Sequence, residues 1–196
     1  GWHVWEKINR PGTKRSEPRS PTSLETVVAF TPDRLIDYTR LERRATSLRL
    51  DPPLRAQSDR DALRAALADG LAVLCSDHTP VDADGKQLPF AEALPGATGL
   101  ELLLPLTLKW AAESGLSLTQ ALARVTCDPA AILGIEAGSL ETGTPADICL
   151  FDPLSSYRIT PDTLHSQGKN TLFLGETLTG KVRTTIVGGK DRKSVV

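Results

Sequence analysis

The sequence predicts an α/β fold: the last part of a (β/α)8-type barrel followed by a small appended β unit. Three observations carry this. A capped helical stretch leads into one short apolar run with the length of a buried parallel strand, Leu71–Ser76. A long loop and a cluster of helices follow it. After about residue 138 the helical period gives way to glycine turns and short alternating runs. The chain has 196 residues, 40% hydrophobic and 24% charged, with 15 Gly and 14 Pro, which excludes collagen-like and disulfide-scaffold classes. Its formal charge of -1 gives no global basic field for nucleic acid or an anionic membrane. No run approaches the roughly 18 apolar residues a membrane span needs, and no signal peptide opens the chain. Cys75, Cys127 and Cys149 are dispersed among apolar neighbours, as expected of reduced thiols in a cytoplasmic protein. The chain has no methionine and opens on Gly1, so it is expected to be part of something longer.

Each element can be justified in order. Residues 1–47 are atypical: Pro, Ser and Arg are frequent, no period is sustained, and residues 1–50 hold 10 basic against 6 acidic side chains. Disorder, a flexible basic arm and out-of-frame translation are the three readings of that stretch. An amphipathic helix through Leu35, Ile36, Tyr38 and Leu41 is a further option within it. Ser58 is placed to cap a helix over 59–68, with Asp61 at the capping-box position and Gly70 as the left-handed stop. Leu71–Ser76 then makes the buried strand, ending in Ser76-Asp77-His78-Thr79-Pro80. The loop from Val81 to Ala97 is long enough to suggest function or disorder.

Residues 100–114 predict a helix with Leu100, Leu103, Leu104, Leu108 and Ala111 on one stripe. Leu102, Leu106 and Trp110 make it apolar nearly all round, which implies burial between layers. Pro105 fits only in its first turn or at a kink. Ser117-Leu118-Thr119-Gln120 is a capping box, and Asp128-Pro129 opens another helix that stops at Gly134. Residues 138–151 and 180–190 read as strands. The division is thus 1–47 atypical, 48–137 barrel part, 138–190 small composite β domain, and 191–196 (DRKSVV) an artefactual tail set aside from the fold.

The chemistry available is sparse. In barrel enzymes the loops after the strand ends form the active face, which makes Asp77 the best single catalytic candidate. An Asp at a strand end more often simply hydrogen-bonds a turn, and a histidine such as His78 is more often a satisfied structural residue than a ligand. The chain has only His3, His78 and His165, with no H-x-H, H-E-x-x-H or C-x-x-C spacing, so no metal site is expected. P-loop, G-x-G-x-x-G and G-x-S-x-G motifs are absent.

The ordered set of motifs goes further. Asp51-Pro52-Pro53-Leu54-Arg55, Ser58-Asp59-Arg60-Asp61-Ala62-Leu63 and Ser76-Asp77-His78-Thr79-Pro80 resemble the carboxyl-terminal part of type I dihydroorotases. So do Pro95-Gly96-Ala97-Thr98-Gly99-Leu100-Glu101, the turn Gly143–Asp147 and Gly168-Lys169-Asn170-Thr171. The resemblance spans about residues 48–190. It implies an amidohydrolase-type (β/α)8 barrel with a small composite β domain, closing and opening the ring between carbamoyl aspartate and dihydroorotate. It also implies that Asp77 matches the carboxylate that ligates zinc and moves the proton of the attacking water. Pro95-Gly96 matches a stretch whose backbone meets substrate.

Two departures bear on activity. Val81 stands where active members carry a substrate-holding histidine, and Asp51 stands where they carry asparagine. The H-x-H and lysine of the metal centre have no counterpart here, so no cofactor is expected on this chain although active members use zinc. The pattern looks most like the noncatalytic dihydroorotase-like subunit that accompanies aspartate carbamoyltransferase. That implies a scaffold in an oligomeric complex with that enzyme's catalytic subunit, in pyrimidine biosynthesis, with neither nucleic acid nor membrane as partner. The alternative is a fragment of an active zinc-dependent dihydroorotase, a cyclic amide hydrolase.

Overall fold

In a computed structural model, residues 45–192 apart from 52 and 55 are described. The expectations for residues 1–44 and for the last four positions of the tail lie outside them. The elements are α1 (Gln57–Ala68), α2 (Leu103–Ser114), α3 (Leu118–Ala123), α4 (Cys127–Leu133), β1 (Ile148–Arg158), β2 (Thr177–Val187) and β3 (Lys190–Arg192). No helix among the described residues is long and apolar enough to cross a membrane.

α1 starts earlier than its sequence suggests. Ala56 precedes its first turn without a side-chain cap, and Ser58 lies inside the helix rather than at its start. Its end follows the sequence. Gly70 takes φ +72, and the Gly70 and Leu71 amides donate to the Leu67 and Ala66 carbonyls, a Schellman stop. Gly115 and Gly134 end α2 and α4 in the same way. The Ser117/Gln120 capping box is present. Asp128 and Pro129 sit in the first turn of α4 but two residues further in than expected, after Thr126 as the flanking residue. Arg124, just before α4, brackets three pieces. Its guanidinium donates to the Leu67 carbonyl at 2.7 Å and pairs with Asp128, while its own carbonyl accepts from the Leu74 amide at 3.0 Å. A cation at the carboxyl end of α1 also complements that helix's dipole.

The core gathers around α2. Trp110 and Leu102, with Leu106, pack with Leu67 of α1, Ala72 and Leu74, and with Ile159, Leu164, Leu172, Phe173 and Leu178 from the β unit. Pro105 falls in the first turn of α2, where its missing N–H costs no hydrogen bond. The buried face is Leu102/Leu106/Trp110 joined by Leu108 and Ala111. Leu100, assigned to the apolar stripe, is 62% exposed instead, in the single 3-10 turn that precedes the helix.

Leu71–Ser76 is not a regular strand. Only Cys75 forms an isolated bridge, and the run joins none of the three-stranded sheet. Ala72 and Leu74 are nevertheless buried, and the run is not helical. A parallel strand needs a ladder on its flanks, and the local sequence cannot supply one. The Leu74–Arg124 hydrogen bond takes the place of one such rung.

The sheet is antiparallel in the order β1-β2-β3. β1 pairs β2 from Ile148↔Ile186 to Arg158↔Thr177, with irregular register around Asp152–Ser156, where Pro153 cannot donate to a ladder. Residues 138–147 form turns rather than the strand expected there. Asp191 and Arg192, assigned to the tail, pair with Ile186 and Thr185 in β3. At one end the sheet docks on α2: Leu178 is buried, and Gly180 (φ +102) leaves so little room that an added Cβ would lie 2.4 Å from the Leu108 side chain.

Candidate functional site

The candidate residues Asp77, Pro95 and Gly96 come from two segments that the fold lays side by side. The Thr79 amide donates to the Ala97 carbonyl at 3.0 Å. Glycines make this approach possible. A Cβ on Gly99 would lie 2.4 Å from the Ser76 carbonyl oxygen, and one on Gly96 2.5 Å from that of Thr79. Gly96 also takes φ +129, open to glycine and strained for other residues. Its amide donates to the Arg49 carbonyl at 3.0 Å.

A third segment, the crossover between β1 and β2, closes over these two. Gly168 abuts the backbone of Val81 so closely that an added Cβ would lie 2.7 Å from its nitrogen. The Thr98 hydroxyl donates to the Gly168 carbonyl, and the Thr98 amide donates to the Asn170 carbonyl at 2.7 Å. The Asn170 side-chain amide donates to the Gly96 carbonyl at 3.1 Å. The sequence includes Gly168 and Asn170 in its motifs, but no local signal shows that they hold Pro95–Gly99 in place.

Asp77 stands at φ +42, alone in positive φ among the described non-glycine residues. That is a sparsely populated conformation for a residue with a Cβ, of the kind that clusters at functional sites. Its carboxylate is half-buried and receives no hydrogen bond among the described residues. His78 is more committed. Its Nδ1 accepts from the Gly99 and Leu100 amides at 3.2 and 3.1 Å, which is the structural role allowed for it. Nδ1 as acceptor leaves Nε2 to carry the proton in the neutral ring. Val81 is buried, 6% exposed, in packing with Gly85. Asp51 is exposed.

The outer loop has its own anchor. Lys86 is buried and donates to the Thr46 and Arg49 carbonyls at 3.3 and 3.0 Å. Burial, and then the neighbouring Arg49 guanidinium, push its pKa down. Arg49 reaches across to the Phe90 carbonyl at 2.7 Å and lies over the Phe90 ring.

Zinc coordination needs at least three protein donors. Among the described residues no three His, Cys, Asp or Glu side chains converge. Asp77 contributes one donor, and His78 Nδ1 is already engaged by backbone amides. The described residues do not by themselves form a zinc site, although members of the family usually bind zinc.

This face sets a carboxylate and an imidazole beside glycine-lined backbone. A model of the amidohydrolase family matches residues 15–191, and the chain belongs to that family. Its fold is part of a TIM-like (β/α)8 amidohydrolase barrel with a small appended β unit. A D-hydantoinase structure superposes with a TM-score of 0.73 at 27% identity, covering 85% of this chain and 38% of that one. Within the family the chain is similar to dihydroorotases. It is 40% identical over 146 residues to the dihydroorotase of Trichlorobacter lovleyi, covering 74% of this chain and 34% of the relative. It is 43% identical over 141 residues to a dihydroorotase-like protein of Pseudomonas aeruginosa, covering 71% and 33%. The chain therefore spans about a third of the length of these relatives. The family match begins inside the stretch read as atypical from composition.

Proposed function

We propose that the chain belongs to a dihydroorotase-like protein of pyrimidine biosynthesis that does not turn over dihydroorotate. In this reading it acts as a scaffold for aspartate carbamoyltransferase. Val81 carries the proposal. Where active members present an imidazole to the substrate, this chain presents a buried hydrocarbon with no donor or acceptor. Loss of one positioned donor at such a site costs about 2.7–4 kcal/mol, or ~100- to 1000-fold in rate. Asp51 adds a negative charge near where a dianionic substrate would lie, and like charges repel in a partly desolvated site. Similarity to a protein described as dihydroorotase-like supports the same reading.

A second reading, an active zinc-dependent dihydroorotase, is favoured by one observation. The Asp77 carboxylate is not tied down by any described hydrogen bond and is open to a metal and a water proton.

The two readings separate in a chimera in which this chain replaces the corresponding third of the Trichlorobacter lovleyi dihydroorotase, which supplies the remaining barrel. We expect no measurable hydrolysis from it, and recovery of at least about 100-fold above background in the Val81→His/Asp51→Asn form. Turnover of about 1 per second or more by the unmodified chimera sinks the scaffold reading.

A further inference from the structure

We propose that the crossover segment 164–171 forms a wall of the candidate site, and that Glu101 is the positioning residue holding it there. In this assignment Asn170 passes the constraint to the backbone of Gly96. The inference deepens the reading of Pro95–Gly96 as a ligand-contacting stretch and rests on it.

Glu101 lies in the 3-10 turn that leads into α2, two residues after Gly99. Its carboxylate accepts from the His165 amide at 2.6 Å, the Ser166 amide at 3.2 Å and the Ser166 hydroxyl at 2.8 Å. Charge-assisted bonds of this kind are roughly twice as strong as neutral ones. Two residues further on the segment turns back onto the site. Gly168 lies against Val81, the Gly168 and Asn170 carbonyls receive the Thr98 hydroxyl and amide, and the Asn170 side chain donates to the Gly96 carbonyl. Lys169 fixes the turn between them by donating to the Leu164 carbonyl at 2.5 Å. The path from carboxylate to Gly96 is thus a closed ring of hydrogen bonds and intervening chain: Glu101, 165–166, along the chain to 168–170, across to 96–98 and back along the chain to Glu101. Its span crosses from the barrel part to the β unit. A site wall made of backbone cannot adjust by rotamer changes, so its geometry depends on what pins it.

The groups facing Glu101 are His165, whose positive charge would favour the carboxylate, and Tyr157, whose hydroxyl pKa is raised by burial and by Glu101 itself. Partial burial pushes the Glu101 carboxyl up, but the bonds from His165 and Ser166 outweigh it and hold it below its ordinary value. A depressed acid stabilises the ring above its unfolded pKa, and that contribution is lost as pH falls through the folded value.

The test is hydrogen exchange of the full chain read peptide by peptide, corrected for intrinsic rates. Glu101→Gln should speed exchange at 95–99 and 164–171 by at least about tenfold, leaving 148–158 and 177–187 unchanged. Ser166→Ala, which keeps the carboxylate, should shift the same peptides less. Asn170→Ala should loosen 95–98 without loosening 165–166. In the unmodified chain, protection at 95–99 should drop on acidification to about pH 4 and below, and the step should vanish in Glu101→Gln but persist in His165→Gln. Unchanged exchange at 95–99 in Glu101→Gln overturns the assignment. So does a uniform loss over every peptide in both Glu101→Gln and Ser166→Ala, or an acid step that disappears with His165 instead. None of these measurements involves turnover, so their failure is distinct from failure of the hydrolysis experiment.

Discussion

The two ends of the β1–β2 ribbon are the same secondary structure in different circumstances. At the Leu178 end the strands press onto α2, Leu178 and Ile159 are buried, and Gly180 fits against Leu108 with no space for a Cβ. At the Ile148–Phe151 end the sheet is more open: Leu150 is 51% exposed, and Leu154, beside the register irregularity, 87%. Both ends carry apolar side chains, and both keep their ladder. The difference is tertiary, and it implies that the inner end carries the stability while the outer end follows its hydrogen-bond ladder.

Trp110→Ala probes the inner end most severely. Removing a fully buried indole from the centre of the core should destabilise the chain by about 3–5 kcal/mol in denaturant melts. A loss below about 1 kcal/mol would place the core elsewhere. Gly99→Ala comes next. The added methyl meets the Ser76 carbonyl rather than a flexible side chain, so the backbone must move, at a cost of about 1–3 kcal/mol. Faster amide exchange at 76–79 should accompany it. Leu154→Ser is the weakest change and sharpens the contrast, because so exposed a side chain should alter stability by no more than about 0.5 kcal/mol. A large loss there would mean that the outer sheet is covered by residues outside those described.

Legibility from sequence followed the range of the interaction. The glycine stops at 70 and 134 and the Ser117/Gln120 box are events within one helical turn, and they could be read directly. Ser58 shows the limit of such reading: a good cap residue with acidic neighbours was overtaken by a helix that begins before it. Leu71–Ser76 has the composition of a buried strand and is buried at Ala72 and Leu74, but a strand is completed by partners remote in sequence. At the candidate site, Asp77, Pro95 and Gly96 are candidates by position and by resemblance, and what holds them in place has no such signal. Asn170 is 74 positions from Gly96, and Glu101 is 64 from His165. Both residues stand within recognised motifs, yet no periodicity connects contacts at that distance.

The close approaches of Gly96, Gly99 and Gly168 to the backbones of Thr79, Ser76 and Val81 have one more consequence. Peptide planes packed against peptide planes give this face its shape, and that shape is indifferent to what the neighbouring side chains can do. Such a surface can drift chemically, an imidazole to a valine or an amide to a carboxylate, while its contour stays the same. Loss of a reaction and loss of a fold are then separate events in a lineage. A protein built this way can cease to be a catalyst and still be recognised by whatever once docked against it.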